Sequence, residues 1–278
     1  MSIKTTLKKT KLFSIRRNNI CFGGTKALRN QVNLEYWHAK TNIGDTLSPV
    51  VVNWMLQRNN LSLDTPVKHT SHLLAIGSII GMGDFDSTIW GSGVHTEKNI
   101  QNINRQAAYR KYDIRLVRGP KTRAALLNAG YTVPENYGDP AVIMPHIYQS
   151  HSTKEYDCSI ILHLSNSNLD TKDLHTIDVQ TDDYRFFVDE ICKSKKVISS
   201  SLHGIILSEV YGVPCIFLNQ GMDKELMKFT DWYASTGRSE YRYANSLEEA
   251  LDMEPMELPD FSQMQDTIIN TFPYDLWK

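Results

Sequence analysis

The chain has 278 residues, 41% of them hydrophobic and 22% charged, with a formal net charge of −1. That length accommodates two compact α/β lobes of roughly 130 residues each. The composition supports a core without disulfide or metal staples, and no stretch approaches the ~18 apolar residues of a membrane span.

Charge is unevenly placed. Residues 1–30 hold eight basic residues (Lys4, Lys8, Lys9, Lys11, Arg16, Arg17, Lys26 and Arg29) and no acid, which leaves the rest with 22 basic against 31 acidic residues. A basic arm over 1–31 suits an anionic membrane surface or a polyanionic substrate. It suits a solvated terminus equally well. The acidic body and the lack of an aromatic-studded basic groove argue against nucleic acid. The beginning of the chain has no long apolar segment of the signal-peptide kind. Cys21, Cys158, Cys192 and Cys215 are scattered without paired spacing, so the expectation is a reducing, cytoplasmic compartment and no structural zinc.

The ordered body is expected to begin at Val32. Val32–Trp37 reads as a strand, followed by a polar loop and a helix from Thr46 to Arg58, with Pro49 in its tolerant first turn. His72–Ile76, Thr88–Trp90 and Ile114–Val117 read as strands. A helix over Lys121–Asn128 ends before Gly130, and Tyr137-Gly138-Asp139-Pro140 reads as a turn. The pattern then recurs. Cys158–Leu164, Leu174–Val179, Lys196–Ile198 and Cys215–Leu218 read as strands. Asp182–Ser194, Leu202–Tyr211 and Pro259–Asn270 read as helices. Alternating strands and helices predict an α/β fold with parallel sheets covered on both faces. The polar stretch between Ile143 and Tyr156 divides a first lobe, 32–148, from a second, 149–278, which includes the C-terminal helix.

Small or charged residues cluster where predicted strands end: Gly77-Ser78, Gly91-Ser92-Gly93, Arg118-Gly119-Pro120 and Ser199-Ser200-Ser201. Ligands of open parallel sheets bind outside the carboxyl ends of strands, and helix N-termini there suit phosphate. Small residues also serve any tight strand-to-helix loop. Ser199 through Gly204 is the sharpest cluster. One serine would cap the helix that opens at Leu202. His203 in its first turn is either structural or a proton-transfer group beside a ligand. Asp45, in Asn42-Ile43-Gly44-Asp45, reads as a helix cap or as a carboxylate facing a sugar hydroxyl. Arg115 and Arg118 flank a strand end, as anion ligands or as halves of surface salt bridges. Asp139 shapes a turn or faces the site. Lys228 reads as a cation near the cleft or as part of a packed amphipathic helix.

Across about residues 32–240 the chain resembles the polysaccharide pyruvyl transferase family. The resemblance rests on Asn42-Ile43-Gly44-Asp45 with Leu47-Ser48-Pro49, on Trp90-Gly91-Ser92-Gly93, and on Val117-Arg118-Gly119-Pro120 with Thr122. It also rests on Tyr137-Gly138-Asp139-Pro140, and on Ser201-Leu202-His203-Gly204 with Glu209, Gly212 and Pro214. It implies two Rossmann-like lobes of GT-B type with a cleft between them. The implied reaction transfers pyruvate from phosphoenolpyruvate onto two hydroxyls of a sugar as a cyclic ketal, in a bacterial surface-polysaccharide pathway. The acceptor is often lipid-linked at the inner membrane face. Phosphoenolpyruvate is then a co-substrate, and neither a cofactor nor a metal is expected. His203 and Asp45 become the expected catalytic pair. Arg118, Ser199, Ser200, Ser201, Leu202, Gly204 and Lys228 become the donor side. Asn42, Gly44, Ser78, Gly91, Ser92, Arg115 and Asp139 become the acceptor side. One position departs: many members have an arginine directly before Leu-His-Gly, where this chain has Ser201. Two rival readings remain, a sugar-nucleotide glycosyltransferase of the same architecture and a non-catalytic carbohydrate-binding protein.

Overall fold

The structure is a computed structural model that describes residues 27–166, 169–219, 221 and 223–278. Residues 1–26, which make up most of the predicted basic arm, lie outside the described residues.

The first half holds β1 (Val32–Glu35), α1 (Ile43–Gln57), β2 (Ser71–Leu74), β3 (Ser87–Trp90), α2 (Glu97–Gln106), β4 (Tyr112–Leu116), α3 (Pro120–Asn128) and α4 (Met144–Ile147). Its four strands form one sheet in the order β1-β2-β3-β4, and every pairing is parallel. The second half holds β5 (Tyr156–Ile161), β6 (His175–Thr176), α5 (Tyr184–Cys192), β7 (Ser194–Ser199), α6 (Leu202–Val210) and β8 (Cys215–Leu218), then α7 (Leu226–Ser235), β9 (Tyr243–Ala244), α8 (Leu247–Asp252) and α9 (Ser262–Asn270). The second sheet runs β6-β5-β7-β8-β9 and is also wholly parallel. The chain is therefore α/β with two mostly parallel sheets. The unbroken buried runs of β3 and β8 are what two covered faces require.

The two halves share a core. One cluster of buried hydrophobics takes Leu34, Leu73 and Trp90 from the first half and Ile161, Val197 and Phe217 from the second. Helix α1 packs against α5 and α6, and Ile43 N–H donates to the Val179 carbonyl at 2.9 Å. Helix α9 follows the second sheet in sequence but reaches back to the first half. Its Ile268 carbonyl accepts from the buried Trp90 indole N–H at 3.0 Å, because a buried indole donor needs a partner. A sequence boundary drawn at 148/149 thus separates α9 from the residues it packs on.

Several elements differ from the sequence expectation for visible reasons. Helix α1 begins three residues before the predicted Thr46, because Asn42 caps it by accepting from Gly44 N–H at 3.0 Å. Helix α2 was not expected, since most of its ten residues are polar and only Asn99, Ile103 and Gln106 are buried. Thr96 and Asn99 start it with a reciprocal capping box. Strand β6 keeps two residues of the predicted Leu174–Val179, pairing with Ser159 and Ile160. Strand β9, at the opposite edge, is also only two residues long, too short to leave a periodicity.

Candidate functional site

A cavity of about 460 Å³ opens where strand ends of the two sheets meet. From the first half it is lined by Trp37, Asn42, Asp45, Gly77, Ser78, Ile79, Met82 and His95, and from the second by His163, Leu164, Ser201, Leu202, His203 and Lys228. These residues follow the carboxyl ends of β1, β2, β3, β5, β7 and β8, which is where parallel sheets present ligand sites. The cavity brings together Asn42, Asp45, Ser78, Ser201, Leu202, His203 and Lys228 of the expected set.

His203 is held by its surroundings. A Cβ built on Gly44 would stand 2.0 Å from His203 Nδ1, so the ring occupies the space that a side chain at position 44 would fill. On its other side, Nε2 lies 3.6 Å from Asp139 Oδ2, with Asp139 only 1% exposed. Neither atom has a hydrogen-bond partner among the described residues. Asp139 also caps the short 3-10 turn Pro140–Ile143, accepting from Ala141 N–H at 3.0 Å. It therefore stands behind His203 and is absent from the residues lining the cavity, although it was expected on the acceptor side. Gly44→Ala is expected to displace the His203 ring in a folded protein, because a methyl there has no room beside the imidazole, and to lower turnover about 10²-fold if that ring takes part in the reaction. Steady-state kinetics alongside a thermal melt would check both halves of that statement.

Asp45 lies half-buried in the first turn of α1, with Oδ1 3.5 Å from where a Cβ on Gly77 would sit. Burial pushes its carboxyl up to about 6, against the opposing pull of His203 and Lys228. Lys228, on α7, is 6% exposed. Burial pushes its ammonium below the ordinary lysine range, while Glu225 beside it pulls the other way. Lys228 Nζ donates to Glu225 Oε2. The same oxygen lies 3.2 Å from His95 Nε2 and 3.9 Å from His163 Nε2. Burial works against the Glu225 carboxylate, yet the hydrogen bond from His95 and the charge of Lys228 hold it well below its ordinary value. His163 is pushed down to about 4, first by burial and then by Lys228. Sequence reasoning singled out neither histidine, nor Glu225.

The other expected residues sit beneath or away from the cavity. Arg118 is fully buried. Its Nε donates to Asp231 Oδ2 at 3.1 Å and its Nη2 to the Val94 carbonyl at 2.9 Å, while Nη1 donates to Ser78 Oγ. Gly93 is a glycine for this guanidinium, since a Cβ there would meet Arg118 Cζ at 2.3 Å. Arg118 is thus ion-paired, but in the interior and not in the surface salt bridge that was the alternative to ligand binding. Arg115 is also an ion-pairing residue, bonded to Asp113 and Asp275 on an exposed face and absent from the cavity lining. Ser92 is buried with its hydroxyl on the Gly77 carbonyl at 2.8 Å. Gly91 lies against the Pro140 ring.

The serine turn divides its work. Ser199 and Ser200 are fully buried. Ser199 Oγ bonds the backbone of Ser201 in both directions at 3.0 Å, and Ser200 Oγ accepts from His163 N–H at 2.8 Å. Ser201 is the N-cap of α6, with Oγ 3.5 Å from Gly204 N. Gly204 itself fits closely against Ser199 and Ile161. The first N–H groups of α6 lack intrahelical acceptors by construction and face the end where Ser201 and Leu202 line the cavity. Glu209, further along α6, takes Arg238 in a two-pronged pair at 2.7 and 2.8 Å. Among the described residues no group of three or more His, Cys, Asp or Glu is placed to hold a metal ion, and no helix is long and apolar enough to cross a membrane.

Residues 42–221 match the family described as polysaccharide pyruvyl transferase. The chain belongs to the polysaccharide pyruvyl transferase family. It is also similar to an uncharacterized protein of Acanthamoeba polyphaga mimivirus, at 24% identity over 232 residues covering 77% of this chain and 78% of that protein. Family membership supports a transferase acting in polysaccharide biosynthesis. The matched segment contains Asn42, Asp45, His95, His163 and His203, whereas Glu225 and Lys228 fall beyond it.

Proposed function

We propose that this family member transfers pyruvate from phosphoenolpyruvate onto two hydroxyls of one sugar, giving a cyclic ketal and phosphate. The supporting observation is the single cavity in which Asp45, His203 and the N-terminus of α6 meet across the two halves. A proton goes to the methylene carbon of the donor, which makes its central carbon oxocarbenium-like. One sugar hydroxyl adds there, the phosphate leaves, and the neighbouring hydroxyl closes the ring. His203 supplies the proton to the donor or to the departing phosphate. Asp45 accepts a hydroxyl proton. Asp139 and Gly44 keep the imidazole in place. The acceptor is a sugar of a surface-polysaccharide precursor, lipid-linked in this reading. The basic residues of the first 31 positions then meet the anionic inner membrane face of the cytoplasm. The two parallel sheets act as the two lobes of a GT-B-type arrangement, with the donor on the α6 side, and the reaction draws on no resident cofactor or metal.

The decisive test is incubation with phosphoenolpyruvate and a panel of lipid-linked glycans, read by phosphate release and acceptor mass gain. Binding of a nucleoside diphosphate with no use of phosphoenolpyruvate would favour a glycosyltransferase instead. Sugar binding without phosphate release would favour a carbohydrate-binding protein.

The proposed base has a pH signature. Asp45 must be ionised to accept a proton, so turnover should fall about tenfold per pH unit below about 6. Stability should move the opposite way. The folded carboxyl binds its proton more tightly than the unfolded one, so ionised Asp45 costs stability above about pH 6, and the cost fades as pH falls through that value. Asp45→Asn is therefore expected to stabilise the protein by about 1–2 kcal/mol at pH 8 while suppressing turnover. Urea unfolding should show the full gain at pH 8, a smaller gain at pH 5, and none once the pH is below the ordinary carboxyl value of 3.8.

A further inference from the structure

Three nitrogens from three separate elements converge on one carboxylate oxygen. Lys228 comes from α7, His95 from the loop after β3, and His163 from the loop after β5. All three lie against Glu225 Oε2, and all three line the cavity. We propose that Lys228, His95 and His163 form the seat for a phosphate-like dianion, and that the Glu225 carboxylate is a resident stand-in that the ligand displaces. The proposal rests on the pyruvyl-transfer reading to the extent that this dianion is the phosphate of the donor.

Elimination within the cavity supports it. The basic side chains lining it are His95, His163, His203 and Lys228. His203 is wedged between Gly44 and Asp139. Arg118, another cation nearby, is fully buried and engaged with Asp231, Val94 and Ser78. Ser201 offers only a hydroxyl, already engaged as the N-cap of α6. What remains to meet a dianion is the trio now gathered on Glu225, together with the N–H groups that open α6. A buried ammonium needs a counter-anion, and Glu225 supplies one for Lys228. Its perch favours exchange. Glu225 ends a three-residue 3-10 turn, Asp223–Glu225, and its side chain keeps 22% exposure, against 7% for that of Lys228. Glu225 also opens α7 as its N-cap, so its backbone is fixed while its side chain keeps contact with solvent.

The test is calorimetric titration of the full chain with inorganic phosphate at pH 7. Glu225→Gln removes the competing charge and keeps the shape, so it should bind phosphate about 10-fold tighter than the unaltered chain. Lys228→Met should bind at least about 10-fold weaker, and His95→Ala about 3-fold weaker. Unchanged or weaker phosphate binding by folded Glu225→Gln overturns the proposal, as does the absence of phosphate binding in every variant. If thermal melts show that Glu225→Gln does not fold, Glu225→Asp replaces it. Its shorter arm withdraws the carboxylate, so it too should bind phosphate more tightly, and failure to do so counts equally against the seat. Phosphoenolpyruvate turnover on the same proteins separates the two readings. Phosphate binding of the expected pattern without turnover keeps the seat and sinks pyruvyl transfer. Turnover with phosphate affinity indifferent to Glu225 sinks the seat alone.

Discussion

His203→Ala is expected to lower pyruvyl turnover by about 10²–10⁴-fold, the range for removing a positioned general acid or base. The ring is 13% exposed, lies 3.6 Å from Asp139 and fills the space that a side chain at position 44 would need. Its loss should therefore cost little folding free energy compared with its cost in rate. Phosphate release from phosphoenolpyruvate measures the effect, and a melt establishes that the variant is folded. Near-normal turnover in a folded His203→Ala would remove the imidazole from the chemistry and leave the α6 N-terminus with a binding role alone. A second comparison sharpens the role. If Asp139 only orients the ring, Asp139→Asn should lower kcat with KM for the donor nearly unchanged, whereas an acceptor-binding Asp139 would raise KM for the sugar.

Asp231→Ala is expected to destabilise the fold by about 3–5 kcal/mol, because it strands a fully buried guanidinium. Asp231 also organises the start of α3. Its Oδ1 accepts from the N–H groups of Lys121 at 2.8 Å and Thr122 at 2.9 Å, and its Oδ2 accepts from Thr122 Oγ1 at 2.7 Å. Gly119 lets the two elements approach, since a Cβ there would meet the Asp231 carbonyl oxygen at 2.1 Å. Urea unfolding at pH 7 would measure the loss. Replacing both partners with apolar residues, Asp231→Leu with Arg118→Met, should recover part of it, because no charge is then left unpaired. A small loss from Asp231→Ala, under about 1 kcal/mol, would mean that Arg118 finds another partner. The same geometry governs how Arg118 variants are read. A drop in activity on Arg118→Ala speaks for ligand binding only if the unfolding midpoint stays in place.

The sequence by itself determined the alternation of strands and helices, the parallel sheets that follow from it, and the family. It also determined that Ser201-Leu202-His203-Gly204 opens a helix at a strand end and that a helix follows Asn42, although only the structure placed its start at Ile43. Those features are local. They depend on hydrophobic period, on caps and on small residues at turns, all of which a short window of chain reveals. Partnership between distant positions needed the tertiary structure. Arg118 finds Asp231 across 113 positions, which turns an apparent anion ligand into a buried strut. Gly44 reads locally as part of a helix start, yet its lack of a Cβ makes room for His203. His95 and His163 stand in sequence as isolated histidines, with nothing at nearby spacing to mark them. They become part of a site only because parallel packing brings the ends of β3 and β5 to one cavity, where Glu225 and Lys228 arrive from α7 and the turn before it. Such convergence is set by how two sheets share a core, and no single segment of the chain encodes it.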